Sequence, residues 1–131
     1  MIALDTNVLL RLLLNDDAAQ TSKARQAIET FEARGEPVLL NDIVLAEAVW
    51  TLRGRYATSK ADLLRMLRAL LDTATFVFES RDVAHAAITL FEHSSVDFPD
   101  CLIAAKNSAA GCSHTLTFDR AMRGLAGAKL L

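Results

Sequence analysis

Hydrophobic side chains recur along the chain in two rhythms: short unbroken runs of three or four, and longer stretches in which they return every third or fourth position. The first run, Ile2-Ala3-Leu4, ends at Asp5-Thr6-Asn7, residue types that favour turns and helix starts. It predicts a buried strand feeding a helix from about Val8 to Leu14. From Asp17 to Arg34 the apolar positions Ala24, Ala27, Ile28 and Phe31 mark one helix face, stopped by Gly35 and Pro37. Val38-Leu39-Leu40 reads as a second strand. Asn41 or Asp42 can cap a helix to about Arg55, with Leu45, Ala48, Val49 and Leu52 on one stripe. Ser59 to Leu71 reads as a further helix, with Ser59 and Asp62 at capping-box spacing. Thr75 to Phe78 is strand-like by its β-branched and aromatic content. Ser80 or Asp82 opens a helix to His93, and Asp97-Phe98-Pro99-Asp100 opens another through Ala110, closed by Gly111. His114 to Thr117 then reads as a strand leading to Asp119. A turn over Arg120 to Gly124 precedes a last strand, Lys129 to Leu131.

Strands alternating with helices imply an α/β fold, a three-layer α/β/α sandwich around a mostly parallel central sheet. At 131 residues the expectation is one domain over residues 1–131. In such sheets ligands bind at the carboxyl ends of strands, which points to Asp5 and Asp119. Composition narrows the class. The longest apolar run, Val8 to Leu14, is broken by Arg11 and falls far short of the roughly 20 residues a membrane helix needs. The first residues lack the basic start and small-residue cleavage site of a secretory leader, which points to a cytoplasmic protein. Cys101 and Cys112 form no Cys-x-x-Cys and have no histidine at zinc-finger spacing, and both read as small core residues. The formal charge of −2 excludes nucleic-acid binding by bulk attraction, so any such contact must be local or use a bound cation.

The acids carry the candidate chemistry, and each has a structural alternative. Asp5 and Asp119 can be helix N-caps, as can Asp97 or Asp100 around Pro99, with Asp97 the better placed for that role. Glu47 sits on a helix beside Ile43, Val44 and Trp50, with no lysine or arginine at the third or fourth position either way. A carboxylate on an apolar flank must find a cation, protonate, or reach solvent. If Asp5, Glu47, Asp100 and Asp119 converge, each pair about 4 Å apart costs on the order of 4 kcal/mol at an effective dielectric near 20. Magnesium or manganese would resolve that repulsion, because hard cations take oxygen ligands and are held by carboxylates together with substrate phosphates. Arg53, Arg55, Arg120 and Arg123 lie just beyond Glu47 and Asp119, either as phosphate contacts or as solvated helix-end charges. His85, His93 and His114 read as spectators.

Taken in order, Asp5-Thr6-Asn7, Glu47 in VLAEAVW, Asp97-Phe-Pro-Asp100 before CLIAAKN, and Thr117 and Asp119 in TLTFDR resemble the PIN-domain nucleases, in particular the VapC-type toxins of toxin-antitoxin pairs. The resemblance covers nearly the whole chain. It implies that Asp5, Glu47, Asp100 and Asp119 bind Mg2+ or Mn2+, with Asp97 a possible further ligand and Thr6 and Thr117 orienting them. One departure is Cys101, where the family more often has alanine. The resemblance further implies a metal-dependent endoribonuclease acting on RNA, a VapB-type antitoxin partner, and a homodimer through the early helices, for which Val8 to Leu14 and Ser59 to Leu71 could supply surfaces. Hydrolysis by water would leave 5′-phosphate and 3′-hydroxyl ends. The rival readings are a non-catalytic PIN-like binding module, a haloacid-dehalogenase-type phosphatase, and a response-regulator receiver. The phosphatase needs a second aspartate where Asn7 stands; the receiver needs an acidic pair near the first strand, but Asp16-Asp17 lies beyond a helix.

Overall fold

Five helices begin at a side chain that accepts the backbone N–H three residues on: Asp5 from Val8, Asp17 from Gln20, Asn41 from Val44, Ser59 from Asp62 and Ser80 from Val83. Each such bond satisfies an amide that the helix itself cannot, which fixes where the chain leaves extended structure. In the computed structural model, which describes residues 1–131, the elements run β1 (Ile2–Ala3), α1 (Thr6–Leu13), α2 (Ala18–Ala33), β2 (Val38–Leu40), α3 (Asp42–Gly54), α4 (Lys60–Asp72), β3 (Phe76–Phe78), α5 (Arg81–His93), α6 (Phe98–Ala109), β4 (Thr115–Thr117), a 3-10 turn (Arg120–Gly124) and β5 (Ala128–Leu130). Every expected element is present. Helix α1 starts two residues early because Asp5, and not a later residue, is its cap. Gly35, at φ +64, provides the left-handed turn that ends α2.

The chain divides into two compact units, Met1–Glu79 and Ser80–Leu131. The first holds a three-stranded parallel sheet in the order β1-β2-β3, with Ile2 opposite Val38 and Val38 opposite Phe76. Helix α1 packs on α2 and α3, and α3 on α4. Leu9, Leu40, Leu52 and Leu63 are fully buried there. The apolar faces of α1 and α4, expected as possible dimer surfaces, are largely used in this core: Leu9, Leu10, Leu63, Leu67, Leu70 and Leu71 are buried.

In the second unit α5 packs on α6, with the rings of Phe91 and Phe98 edge to face at 5.9 Å. Strands β4 and β5 pair in parallel, Thr115 opposite Ala128, joined through the 3-10 turn whose Met122 is buried, as is Leu125 just beyond it. All ladders in the chain are parallel, so the fold is α/β, as the alternation of periods predicts. Cys101 is buried, whereas Cys112 is exposed and not a core residue. It follows the turn at Gly111 (φ +92), where the backbone has already left the helix. No helix is long and apolar enough to cross a membrane.

Because Leu52 is 1% exposed and Ile43, on the same helix, is 68% exposed, the two should respond differently to truncation. Leu52→Ala is expected to cost about 2–5 kcal/mol in urea unfolding, and Ile43→Ala within about 0.5 kcal/mol of wild type.

Candidate functional site

Asp5 lies just past the carboxyl end of β1, and its extended backbone turns directly into α1. Oδ1 accepts the Val8 N–H at 3.0 Å, which fixes the carboxylate plane and leaves Oδ2 uncommitted. The capping alternative is therefore real, and it is compatible with a ligand role for the second oxygen. Thr6 is the first residue of α1. Asp5, Thr6 and Asn7 share a groove of about 430 Å³ with Glu47 and Thr51, so the first unit brings two of the expected acids to one place.

Glu47 reaches the groove from α3, but not for the expected reason. Leu45, Ala48, Val49 and Leu52 take the core side of the helix. At roughly 100° per residue that puts Ile43, Glu47 and Trp50 on the opposite side. Glu47 is exposed, and its apolar neighbours Ile43 and Trp50 are 68% and 73% exposed. The expectation of a carboxylate forced out of water by its flank is thus corrected: the flank faces solvent.

The second unit carries Asp97, Asp100 and Asp119. Asp97 occupies the N-cap position of α6, yet its side chain accepts no helix amide, against the expectation of a cap. Pro99, in the first turn, has no N–H to offer, so one of the two amides an N-cap ordinarily serves is missing. Asp100 is half-buried in the first turn of α6. Burial pushes its carboxyl above the usual carboxylate range, and the like charges of Asp119 and Asp97 push it the same way. Asp119 follows β4. Its N–H donates to Thr117 Oγ1 at 2.9 Å, and its Oδ1 accepts the Ala121 N–H at 2.9 Å, again leaving Oδ2. Asn107 Nδ2 donates to Thr115 Oγ1 at 2.9 Å and ties α6, which bears Asp100, to β4, which leads to Asp119.

Neither unit alone places three His, Cys, Asp or Glu side chains close enough to enclose a metal ion. The donor chemistry nevertheless suits a hard divalent cation. The candidate ligands are all carboxylates, two of them held rigidly by one oxygen, and Asp100 sits where a positive charge would relieve like-charge repulsion.

Sequence reasoning missed a polar network on the groove rim. Arg11 Nη1 donates to Asp16 Oδ1 at 2.5 Å, and the Tyr56 hydroxyl donates to Asp16 Oδ2 at 3.3 Å. Although partial desolvation opposes it, the hydrogen bond and charge of Arg11 hold the Asp16 carboxyl below its usual range. The guanidinium of Arg55 stands over the Tyr56 ring at 5.9 Å. Arg11, Arg55 and Tyr56 all line the groove of Asp5 and Glu47. The available signal was Arg11, the one charge inside an apolar run and one helical turn from Asn7. Its partners lie five residues away (Asp16) and, through Asp16, a further forty (Tyr56), beyond any periodicity. Of the four arginines considered as phosphate contacts, Arg55 lines this groove; His85, His93 and His114 are exposed.

Parallel strands whose carboxyl ends lead into oriented aspartates, with no cysteine or histidine among the groove residues, define an acidic-site α/β protein. The chain belongs to the PIN-domain family, whose model matches residues 2–128. It is also 26% identical over 125 residues to a protein named VapC ribonuclease from Aquifex aeolicus (strain VF5), an alignment covering 95% of this chain and 92% of that one.

Asp100 gives a pH signature. Its folded value is raised, so above the ordinary range of about 4 the folded chain holds this proton more tightly than the unfolded chain. The stability it contributes is present at acid pH and is lost as pH rises through the raised value. Asp100→Asn should therefore raise Tm at pH 7 in EDTA, and the gain over wild type should shrink toward pH 4. A thermal melt series across that range checks it.

Proposed function

We propose that this chain is a metal-dependent endoribonuclease, the toxin of a type II toxin-antitoxin pair, in which Asp5, Glu47, Asp100 and Asp119 hold Mg2+ or Mn2+. The observation that supports the reading best is the extent of the family match, residues 2–128, which takes in all four acids as well as Thr6 and Thr117. The similarity to the VapC ribonuclease supports the choice of RNA and of the toxin role. On this reading residues 1–131 act as one nuclease domain in the cytoplasm. A VapB-type antitoxin is its cognate partner and the active form is a homodimer.

When bound, the cation supplies Lewis acidity that makes water nucleophilic near neutral pH and offsets charge on the phosphate. The chain's own residues provide orientation. Asp5 and Asp119 are each clamped by a backbone amide on Oδ1 and present Oδ2 in a fixed direction. Thr117 holds the backbone of Asp119, and Thr6 follows Asp5 as the first residue of α1. Glu47 comes from the surface of α3, with freedom to adjust. Asp100, crowded by Asp97 and Asp119, gains most from a cation, and Asp97 stands as a further ligand. In the reaction the water oxygen bonds to phosphorus while the bond from phosphorus to the 3′ oxygen breaks. That oxygen takes a proton, which gives a 5′-phosphate and a 3′-hydroxyl.

Asp5→Asn keeps the size and the cap acceptor, so Tm should stay within about 2 °C of wild type if the cap bond persists. Mg2+-dependent RNA cleavage should fall by at least about a hundredfold. Cleavage at the wild-type rate in that variant, or in excess EDTA, would remove this site from the account. Products ending in 2′,3′-cyclic phosphate would remove attack by water. A folded chain that binds RNA and cleaves none of it with Mg2+ or Mn2+ would instead be a binding module.

A further inference from the structure

The groove that holds Asp5 and Glu47 is also lined by two arginines, Arg11 and Arg55. Two carboxylates repel an RNA strand, so a polymer lying in this groove needs a cation to hold the phosphate next to the one being cut. Arg11 lines the groove, but its charge is met by Asp16 at 2.5 Å. Arg53 already has an interaction of its own and is not among the groove residues. Arg55 is different: it is exposed, it lines the groove, and its neighbour is a ring face and not a carboxylate.

The ring is itself fixed. Tyr56 donates to Asp16, Asp16 is anchored by Arg11, and Arg11 belongs to α1, the helix that Asp5 caps. A guanidinium that meets only a ring face keeps its N–H edges available, and those edges match two oxygens of one phosphate. The backbone is equally determined. The Arg55 N–H donates to the Thr51 carbonyl at 2.8 Å, Ala57 takes the left-handed conformation at φ 49, and the Thr58 N–H returns to the Leu52 carbonyl at 2.9 Å.

We propose that Arg55, in cation–π contact with Tyr56, whose hydroxyl is held through the Arg11–Asp16 pair, is a phosphate subsite that holds the RNA backbone beside Asp5 and Glu47. Arg55 is the contact to substrate; Tyr56, Asp16 and Arg11 are positioning residues. The proposal rests on the ribonuclease reading for the identity of the polymer, and not for the subsite itself.

The test uses binding without turnover. The full chain carrying Asp5→Asn is compared with Asp5→Asn/Arg55→Gln for affinity to a fluorescent single-stranded RNA across a salt series in Mg2+. Arg55 is exposed, so the second change should leave Tm unaltered. Loss of a charged bidentate contact should weaken binding about tenfold and reduce the slope of log K against log salt by about 0.7. Arg55→Lys should restore the slope but only part of the affinity. In the otherwise wild-type chain Arg55→Gln should raise KM about tenfold with kcat within about threefold, a split that misfolding would not give. Unchanged affinity and slope would overturn the subsite whether or not the wild type cleaves RNA. Tight, Arg55-dependent binding with no wild-type cleavage would keep the subsite and overturn the nuclease reading.

Discussion

The amide of Val8 holds Asp5 by one carboxylate oxygen, and on that hydrogen bond depends the direction in which the other oxygen points. Asp119 is held in the same way by Ala121, with Thr117 fixing the backbone between strand and turn. Capping and ligand binding are often weighed as rival explanations of an aspartate at a strand end. Here the two are compatible, because a carboxylate with one oxygen committed has lost rotational freedom while its other oxygen stays available. The parallel ladders matter for the same reason. They deliver each strand's carboxyl end into the next turn, where a short acidic side chain is both cap and candidate ligand.

Charge balance is the complementary constraint. Asp100 is pushed toward its neutral form by burial and by two neighbouring aspartates, an arrangement that costs stability at neutral pH. Acidic crowding of this kind accords with the PIN-domain membership of the chain. The formal charge of the whole chain is −2, yet Arg11 and Arg55 line the same groove as Asp5 and Glu47, so the first unit sets cations beside its acids.

The architecture was legible because it is written in local periods. Every expected strand and helix is present, and the five side-chain caps fall on Asp, Asn or Ser residues that the turn chemistry marks. On α3 the period marked the core side correctly, Leu45, Ala48, Val49 and Leu52, and what misled was the local flank of Glu47: Ile43 and Trp50 lie off that stripe and stand in water. Asp97 looked like a cap, and the proline two positions on removed one of the amides it would have served. Cys112 looked like a core thiol, although it falls past the end of its helix. The Arg11–Asp16–Tyr56 network was illegible for a different reason, since Tyr56 meets Asp16 only through a tertiary contact forty residues long.

Trp50 is the only tryptophan in the chain, and it stands in water three residues, or about one turn, from Glu47. Its indole emission therefore reports on a single place, and it starts from the red-shifted, readily quenched limit of a solvated ring. Anything that covers this face of α3 will shift that emission to the blue, so the chain carries its own optical gauge of whatever docks on the outer side of that helix, without label or mutation.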